Sequence, residues 1–466
     1  MFCVIVGDII NSRGMKGETF INKPSSMDDI FQRINDKYSK YIMSDFGTVR
    51  GDAFEGITYS QAESVCIIED LIRLFYEQAD AKIRISCVSG ELENNSLDHN
   101  KSDGPAFYTA VEEINRMKEK TKKEKLQHWF QVKFVTNTIA QPLIDSILDL
   151  VAAITKRWTD QQRKIIWNMA DSSFQQSIVS EKLSIAPSII SKQLKAANYQ
   201  MYREAIDSLK TFLEAEEVEN AKQQNASFTI LYSLGVRYNE QRKYNLSEKY
   251  ITRALGKAKD EYGEYDIRLV PIYNGLVQSC VEQVSYGAIS ELDKKRLIEN
   301  AAQAVDCSLS IQSRFPKDIK MYIQTITAKG NLLLEMGKYE EALCQFIRAK
   351  ELVETFLGND KTYIFGCNNN IALTYKELGK NREAYEWLMK NKKEVISRNN
   401  AITTADCLYN MGLVLINLKR YNLAKKCLNK AYEIFTKEYP LKHPLILDVK
   451  EALASIPRIE AQQGVE

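Results

Sequence analysis

The sequence predicts an α+β domain at the N-terminus, a short helical segment after it, and a long all-α solenoid over the rest of the chain. Three observations lead to this prediction. Strand and helix signals alternate over residues 1–135, a helix-turn-helix pattern lies within residues 136–215, and a helical pattern recurs from residue 220 to residue 460. A length of 466 residues accommodates about three domains of ordinary size.

The first domain begins with an apolar run at residues 2–6, which predicts a buried strand ending at Gly7-Asp8. Apolar and aromatic residues flank Arg50-Gly51-Asp52, and this pattern predicts a hairpin with an acid near its tip. Helical signals near residues 25 and 60 and a strand at 82–88 complete the order strand, helix, strand, strand, helix, strand. This is the order of a ferredoxin-like domain.

If the two strands are neighbours, Asp8 and Asp52 come together at one end of the sheet. Two carboxylates at close range repel each other unless a positive charge lies between them. Mg²⁺ commonly binds one or two carboxylates together with the phosphates of a substrate. We therefore predict a Mg²⁺ or Mn²⁺ site at Asp8 and Asp52, with turn chemistry alone as the open alternative.

Two motifs carry a family resemblance: Gly-Asp-Ile-x-x-Ser-Arg from Gly7 and Gly-Asp-x-Phe from Gly51. They resemble the SatD family and, more remotely, the palm-type domain of class III nucleotide cyclases, over residues 1–135. The resemblance implies nucleotide binding beside the metal, which we assign to Gly7, Ile9, Arg13, Arg50 and Gly51. Lys101 lies in a loop near the same end of the domain and is assigned to a phosphate of the nucleotide, with a solvated surface lysine as the open alternative. Tyr108 stands where cyclases have Asn, and Val111-Glu112 replaces their Arg region. These departures count against cyclisation and leave metal and nucleotide binding in place.

Residues 176–195 predict a helix-turn-helix. Core positions are occupied by Val179, Leu183, Ile185, Ile190 and Leu194, and small residues occupy the helix crossing (Ser180) and the turn (Ser184). Pro187 suits the first turn of the second helix. The exposed face of that helix carries Ser188, Ser191, Lys192 and Lys195, which we predict to contact DNA phosphates and base edges. A role in protein packing or dimerisation is the alternative.

From residue 220 onward the same order of small residues, tyrosines and leucines returns. Gly330, Ala372 and Gly412 mark successive units that are 42 and 40 residues apart, and Gly235 marks an earlier one. A weaker unit lies at Asn274-Gly275. The pattern resembles tetratricopeptide repeats with longer helices than the 34-residue form, and it predicts about five repeats stacked into a curved solenoid.

Solenoids of this kind commonly bind a peptide, another protein or a second copy of themselves along one face. Asn369, Asn370 and Asn410 lie on predicted first helices of repeats, where their amide groups can pair with an extended peptide backbone. The alternative is that these residues are ordinary amides on a helix surface. A homodimer through the same region also stays open.

Composition excludes several classes of protein. A net charge of +2 argues against a chain that coats nucleic acid throughout. Nine cysteines without a Cys-x-x-Cys pair, and three histidines, argue against a disulfide scaffold and a zinc site. We find neither an apolar run long enough for a membrane span nor a signal peptide, so we expect a cytoplasmic protein.

Two functional hypotheses follow from different classes. In the first, the chain is a sensor-regulator with a nucleotide- or metal-binding domain, a DNA-binding helix-turn-helix and a partner-binding solenoid. In the second, the N-terminal domain is a metal-dependent nucleotidyltransferase or cyclase that acts on a nucleoside triphosphate. A scaffold without catalysis or DNA binding is a third possibility.

Overall fold

A computed structural model describes residues 2–10, 24–79, 81–92, 103–124, 130–136, 140–171, 176–223, 226–287, 289–315, 318–358, 361–396, 401–438 and 444–463. These residues contain five strands and nineteen helices. The chain divides into two compact units. The first consists of Met1–Trp167 with Ile185–Glu261, and the second of Asn168–Ser184 with Tyr262–Glu466.

The first unit is built on a mixed five-stranded sheet. Its strands are β1 (Phe2–Ile9), β2 (Ile42–Arg50), β3 (Ala53–Thr58), β4 (Ile83–Gly90) and β5 (Phe130–Val135). The strand order is β2-β3-β1-β4-β5, with antiparallel neighbours except for the parallel pair β4 and β5. With α1 (Pro24–Tyr38) and α2 (Gln61–Ala79), the first four strands follow the predicted order strand, helix, strand, strand, helix, strand.

Side chains alternate between the two faces of this sheet. Gly7 faces α2, and a Cβ at this position would lie 2.2 Å from the ring of Phe54. The Phe54 ring in turn stacks on Phe75 of α2, with ring centroids 5.2 Å apart. On the other face, Val6 packs in one cluster with residues of α3 (Pro105–Glu124). Asp8, two residues after Val6, therefore lies on the α3 face.

Further helices complete the first unit: α4 (Gln141–Thr155), α5 (Asp160–Asp171) up to Trp167, α7 (Pro187–Ala196), α8 (Tyr199–Lys222), α9 (Phe228–Glu240) and α10 (Tyr244–Tyr262) up to Glu261. An aromatic cluster joins several of them. The indole N–H of Trp158 donates to the Ala197 carbonyl at 2.8 Å, and its ring meets Tyr202 edge-on with centroids 5.0 Å apart. Because Tyr202 lies on α8, this cluster fixes the start of that helix beside α5 and α7.

The second unit is helical. It contains α6 (Gln176–Leu183), α11 (Leu269–Tyr286), α12 (Glu291–Gln312), α13 (Ile319–Glu335), α14 (Tyr339–Phe356), α15 (Lys361–Glu377), α16 (Asn381–Ile396), α17 (Ala401–Asn417), α18 (Tyr421–Glu438) and α19 (Pro444–Gln463). From α11 to α18 consecutive helices pack in pairs. None of the described helices in either unit combines the length and the apolar character that a membrane span requires.

Small residues let the two helices of a pair approach closely. A Cβ on the marker glycine would lie 2.5–2.6 Å from a large side chain of the second helix, 16 residues later, in the pairs Gly235 and Ile251, Gly330 and Phe346, and Gly412 and Leu428. Real Cβ atoms do not approach other atoms so closely, and the same spacing recurs in all three pairs. The regular return of small residues in the sequence therefore reflects a repeated packing contact.

Candidate functional site

Asp8 lies near the end of β1 and is 4% exposed. Its carboxylate accepts a hydrogen bond from the Arg84 guanidinium at 3.3 Å and pairs with the Lys118 ammonium at 2.6 Å. Arg84 stands beside Asp8 in the β1–β4 register, and Lys118 comes from α3. The two carboxylate oxygens thus each have a positively charged partner from the protein.

Asp52 lies in the turn between β2 and β3, as the sequence predicted. Gly51 before it has a φ of +64°, which is the conformation that glycine adopts most readily. In the register between β1 and β3, Asp8 stands opposite Ala53, the residue after Asp52. The fold therefore brings the backbones of Asp8 and Asp52 to the same end of the sheet.

The arrangement at Asp8 does not fit a divalent cation. Arg84 and Lys118 already neutralise the carboxylate that a metal would need, and Arg84 is itself 7% exposed. No group of three or more His, Cys, Asp or Glu side chains within the described ranges is placed to hold a metal. We therefore assign no chemistry to a metal here, and Mg²⁺ or Mn²⁺ stays a prediction of the sequence.

The residues that we assigned to a nucleotide are in different environments. Ile9 is buried, and Gly7 is covered by the Phe54 ring, so both have packing roles. Arg50 and Gly51 are exposed at the hairpin tip. Arg13 and Lys101 lie outside the described residues. Tyr108 is 56% exposed on α3, and Glu112 pairs with Arg116 at 2.7 Å.

A second buried carboxylate near Asp8 was missed by the sequence reasoning. Glu55 of β3 is 4% exposed and stands opposite Val6, on the same face of the sheet as Asp8. The signal was present in the sequence, because an alternating strand that places Phe54 on one buried face places Glu55 on the other. Glu55 and Asp8 together give the α3 face of this sheet a marked polar character.

The predicted helix-turn-helix segment forms α6 and α7, which fall in different compact units. Ser184 between them has a φ of +54°, a left-handed conformation that suits a turn. On α7 the side chains of Ser188, Ser191, Lys192 and Lys195 are all exposed, whereas Ile190 and Leu194 are buried. The four residues that we assigned to DNA thus share the open face of one helix.

The repeat region brings two of the three predicted peptide-binding residues into contact. The Asn410 amide of α17 donates to the Asn369 side-chain oxygen of α15 at 2.8 Å. Both side chains are half-buried, as is Asn370. The contact joins the first helices of adjacent pairs. It uses one N–H group of Asn410 and one lone pair of the Asn369 oxygen, so each amide keeps further donor and acceptor groups.

One turn before Asn410, Asp406 places a carboxyl group on α17. Burial raises the pKa of the Asp406 carboxyl from its ordinary value to about 6. None of the contacts within the described part of the chain supplies it with a cation. The Asn410 amide therefore lies one helical turn away from an acidic group that is costly to ionise.

The strongest polar cluster in the first unit is centred on Glu217 of α8. Its carboxylate accepts from the backbone N–H of Gln61 at 2.8 Å and from the Ser60 hydroxyl at 3.0 Å, at the start of α2. Its other oxygen accepts from Arg237 of α9 at 2.7 Å. An acid at a helix N-terminus is favourable because it pairs with free N–H groups and with the positive end of the helix dipole.

This cluster continues to Glu63 in the first turn of α2. Burial raises the pKa of the Glu63 carboxyl, while the nearby Lys210 and Arg237 act in the opposite direction. Lys210 lies 3.4 Å from Glu63 and comes from α8. The helices α2, α8 and α9 are therefore joined by charged side chains within the first unit.

Two family models match parts of the chain. A model described as "SatD family" matches residues 2–213, and a model described as "Tetratricopeptide repeat" matches residues 405–437. The first match runs from β1 into α8, and the second covers most of α17 and α18. The chain therefore contains a SatD family domain, followed by at least one tetratricopeptide repeat, and both predicted resemblances are confirmed at this level.

No curated protein matches the chain. Among solved structures, the chain is similar to the crystal structure of BtubC (BKLC) from P. vanneervenii, with 16% identity and a TM-score of 0.35. The match covers 48% of this chain and 88% of that one. The combination of a SatD family domain with a tetratricopeptide repeat indicates a protein-interaction module with protein partners.

Proposed function

We propose that the chain is an adaptor whose repeat region binds an extended segment of a partner protein at Asn369, Asn370 and Asn410. The observation that carries the proposal is the hydrogen bond between Asn410 and Asn369, which places two amides side by side on neighbouring first helices. Each amide keeps donor and acceptor capacity, and a peptide backbone offers both kinds of group in a regular row.

Asp406 indicates the charge that the bound segment of the partner carries. A carboxylate that is half-buried and lacks a cation in the described part of the chain gains from a positive charge brought by a ligand. We therefore expect the bound segment to carry a lysine or arginine beside the residue that pairs with Asn410. Glu217 of α8 contacts Ser60 and Gln61 of the SatD family domain and pairs with Arg237 of α9, so it links that domain to the first helix of the repeat pattern.

The experiment is selection of random displayed peptides on the full-length protein, followed by titration calorimetry of the selected peptides. Peptides enriched in basic residues are expected, with binding weakened at least tenfold by the double substitution Asn369→Ala and Asn410→Ala, which corresponds to about 1.4 kcal/mol. The matched control is Asn381→Ala with Asn417→Ala, which removes another asparagine pair, 3.2 Å apart and exposed. Peptides that bind equally to both double variants contradict the proposal.

A second candidate function, DNA binding, is favoured by one observation: Ser188, Ser191, Lys192 and Lys195 all lie on the exposed face of α7. Lysines on such a face contact phosphates, and serines contact either phosphates or base edges. The test is a mobility-shift titration with duplex DNA at two salt concentrations. Binding that weakens with salt and is lost in Lys192→Ala with Lys195→Ala supports this role, and binding that is unchanged in this variant excludes it for α7.

Nucleotide binding at the SatD family domain, and with it catalysis as a nucleotidyltransferase or cyclase, is the alternative that the sequence motifs raise. It is tested by incubating the protein with each nucleoside triphosphate and Mg²⁺ or Mn²⁺ and separating the products. A product that is lost in both Asp8→Asn and Asp52→Asn makes the domain an enzyme. If neither a product nor nucleotide binding is detected, this alternative is excluded and the adaptor role stands without it.

A further inference from the structure

The first unit contains a cavity of about 580 Å³ that none of the functions above uses. It lies along β5, the last strand of the sheet, and is bounded by α2, α3, α4 and α8. Pockets for small organic molecules have volumes of roughly 300–1,000 Å³, so the cavity is of a suitable size for one such molecule.

The floor of the cavity is apolar. It is formed by buried side chains from four elements, namely Ile68, Ile72, Phe130, Phe134, Val151 and Leu209. Such a surface binds hydrocarbon because each buried methylene group leaves water for an apolar environment. The floor therefore selects a ligand with an apolar body.

Polar backbone groups line the cavity at the edge of the sheet. The Gln141 amide donates to the Phe134 carbonyl at 2.7 Å and accepts from the Thr136 N–H at 2.7 Å, so these two residues direct their backbone groups away from β4. Backbone groups alternate in direction along a strand, and those of Val132 consequently point to the same free edge. Val132 lines the cavity, where its N–H and C=O are available to a polar group of a ligand.

Charged residues also line the cavity, and most of them are paired. Glu113 pairs with Arg116, Asp145 with Lys133 at 2.7 Å, and Glu69 with Arg203 at 2.7 Å. Three further charged residues lining the cavity are left without an ion pair to any residue that the structure describes: Lys120, Lys156 and Asp149. The unpaired charge lining the cavity therefore has a net value of +1, which favours an anionic ligand.

We propose that this cavity binds a small single-chain amphiphile that has an apolar chain and one carboxylate head group. The chain lies on the apolar floor, and the carboxylate meets Lys120 and Lys156. A free carboxylic acid and a single-chain anionic lipid released from a membrane share this chemistry, and vesicles distinguish the two sources. The site is separate from Asn369 and Asn410, so its test is independent of the adaptor function.

The probes are octanoate, decanoate and dodecanoate, titrated calorimetrically into the full-length protein below the concentrations at which they form micelles. We expect saturable binding of one molecule, tightened about fourfold by each added methylene group because burial of one CH₂ contributes about 0.8 kcal/mol. Decanol, without charge, and decylammonium, with the opposite charge, are expected to bind at least tenfold more weakly than decanoate.

Two kinds of variant locate the binding. Lys120→Met with Lys156→Met keeps the apolar stems and removes the charges, so decanoate binding falls about tenfold while decanol binding is unchanged. Ala152→Phe fills the cavity from α4 and abolishes binding of both ligands. The control is Lys249→Met on the exposed surface of α10, which leaves both affinities unchanged. A melting temperature close to that of the unmodified protein shows that each variant is folded.

The proposal is overturned if none of the three carboxylates binds saturably or if decanoate and decylammonium bind with equal affinity. It is also overturned if Ala152→Phe leaves decanoate binding intact. Sedimentation with phosphatidylglycerol vesicles then identifies the source. Vesicle binding that Ala152→Phe removes indicates a membrane-derived ligand, and binding of the soluble acids alone indicates a free carboxylate.

Discussion

Glu217 of α8 and Arg237 of α9 form a buried ion pair, with 2.7 Å between a carboxylate oxygen of Glu217 and Nη2 of Arg237. Glu217 is 2% exposed and Arg237 is 7% exposed. The same carboxylate accepts from the N–H of Gln61 at the start of α2. One side chain therefore holds three elements together: the second helix of the sheet domain, the long helix that follows the domain, and the first helix of the repeat pattern.

Removing Glu217 should destabilise the first unit strongly. Glu217→Ala leaves the Arg237 guanidinium buried without its closest anion and removes an acceptor from the start of α2, and we expect a loss of about 3–5 kcal/mol in the free energy of unfolding. Urea unfolding followed by tryptophan fluorescence measures it. The matched control is Glu219→Ala on the same helix, whose exposed pair with Lys222 is worth about 0–1 kcal/mol. Equal losses in both variants would contradict the role of Glu217.

The two ion pairs of Asp8 predict a small loss of stability when Lys118 is removed and a large loss when Asp8 itself is removed. Lys118→Ala removes a side chain that is 41% exposed, so we expect a cost of only about 0–1 kcal/mol. Asp8→Ala leaves the buried Arg84 without its anion and should cost about 3–5 kcal/mol. Chemical unfolding of both variants measures the difference between them.

A substitution of Asp8 also tests the metal prediction. We expect the melting temperature of the unmodified protein to be unaffected by Mg²⁺ or Mn²⁺, because Arg84 and Lys118 already neutralise Asp8. A ligand that binds only the folded state raises its stability by RT ln(1 + L/Kd), where L is the concentration of free ligand. A rise in melting temperature with Mg²⁺ that Asp8→Asn abolishes would restore the metal site that the sequence predicted.

Much of the fold could be predicted from local pattern. The apolar run of β1, the Arg50-Gly51-Asp52 turn and the small residues of the repeats each encode their own structure within a few residues. The surroundings of Asp8 could not be predicted this way, because Arg84 and Lys118 lie 76 and 110 residues further along the chain. The pairing depends on the register between β1 and β4 and on where α3 crosses the sheet.

The role of Glu217 could be predicted from the sequence only in part. Leu209, Leu213 and Ala221 are buried at intervals that place them and Glu217 on one face of α8. A carboxylate on an apolar helical face is a recognisable signal of a buried charge in need of a partner. Sequence pattern could therefore have singled out Glu217, although its partner Arg237 requires the packing of α8 against α9.

The close packing of paired helices predicts opposite effects for two glycines of the second unit. Gly412→Ala forces a methyl group to within 2.6 Å of Leu428, and we expect it to cost about 1–3 kcal/mol. Gly366 lies within α15, and nothing lies within 4 Å of a Cβ added there. Gly366→Ala should therefore stabilise the unit by about 0.5–1 kcal/mol through the higher helix propensity of alanine. Thermal unfolding of the two variants gives the signs, and a shift in the same direction for both would contradict the packing role of Gly412.

Asp406 predicts a pH dependence of stability in the second unit. Burial raises the pKa of its carboxyl to about 6 in the folded chain, whereas an aspartate in an unfolded chain has a pKa of about 3.9. The stability associated with the protonated carboxyl is fully present below about pH 4 and is lost as the pH rises to about 6. Above about pH 6 the Asp406 carboxyl is ionised in the folded state as well, and its contribution to stability no longer changes with pH.

Replacing Asp406 by its neutral isostere should remove this dependence. We expect Asp406→Asn to unfold with the same free energy as the unmodified protein near pH 4, and to be more stable by about 1–3 kcal/mol at pH 7.5. Urea unfolding at the two pH values measures both differences, with Asp306→Asn on the exposed surface of α12 as the control. A basic peptide that binds beside Asn410 should also reduce the advantage of the variant at pH 7.5, because the bound cation stabilises the ionised carboxylate of the unmodified protein. If Asp406→Asn is no more stable than the unmodified protein at pH 7.5, the charge of Asp406 is already neutralised, and the expected preference for a basic peptide loses its physical basis.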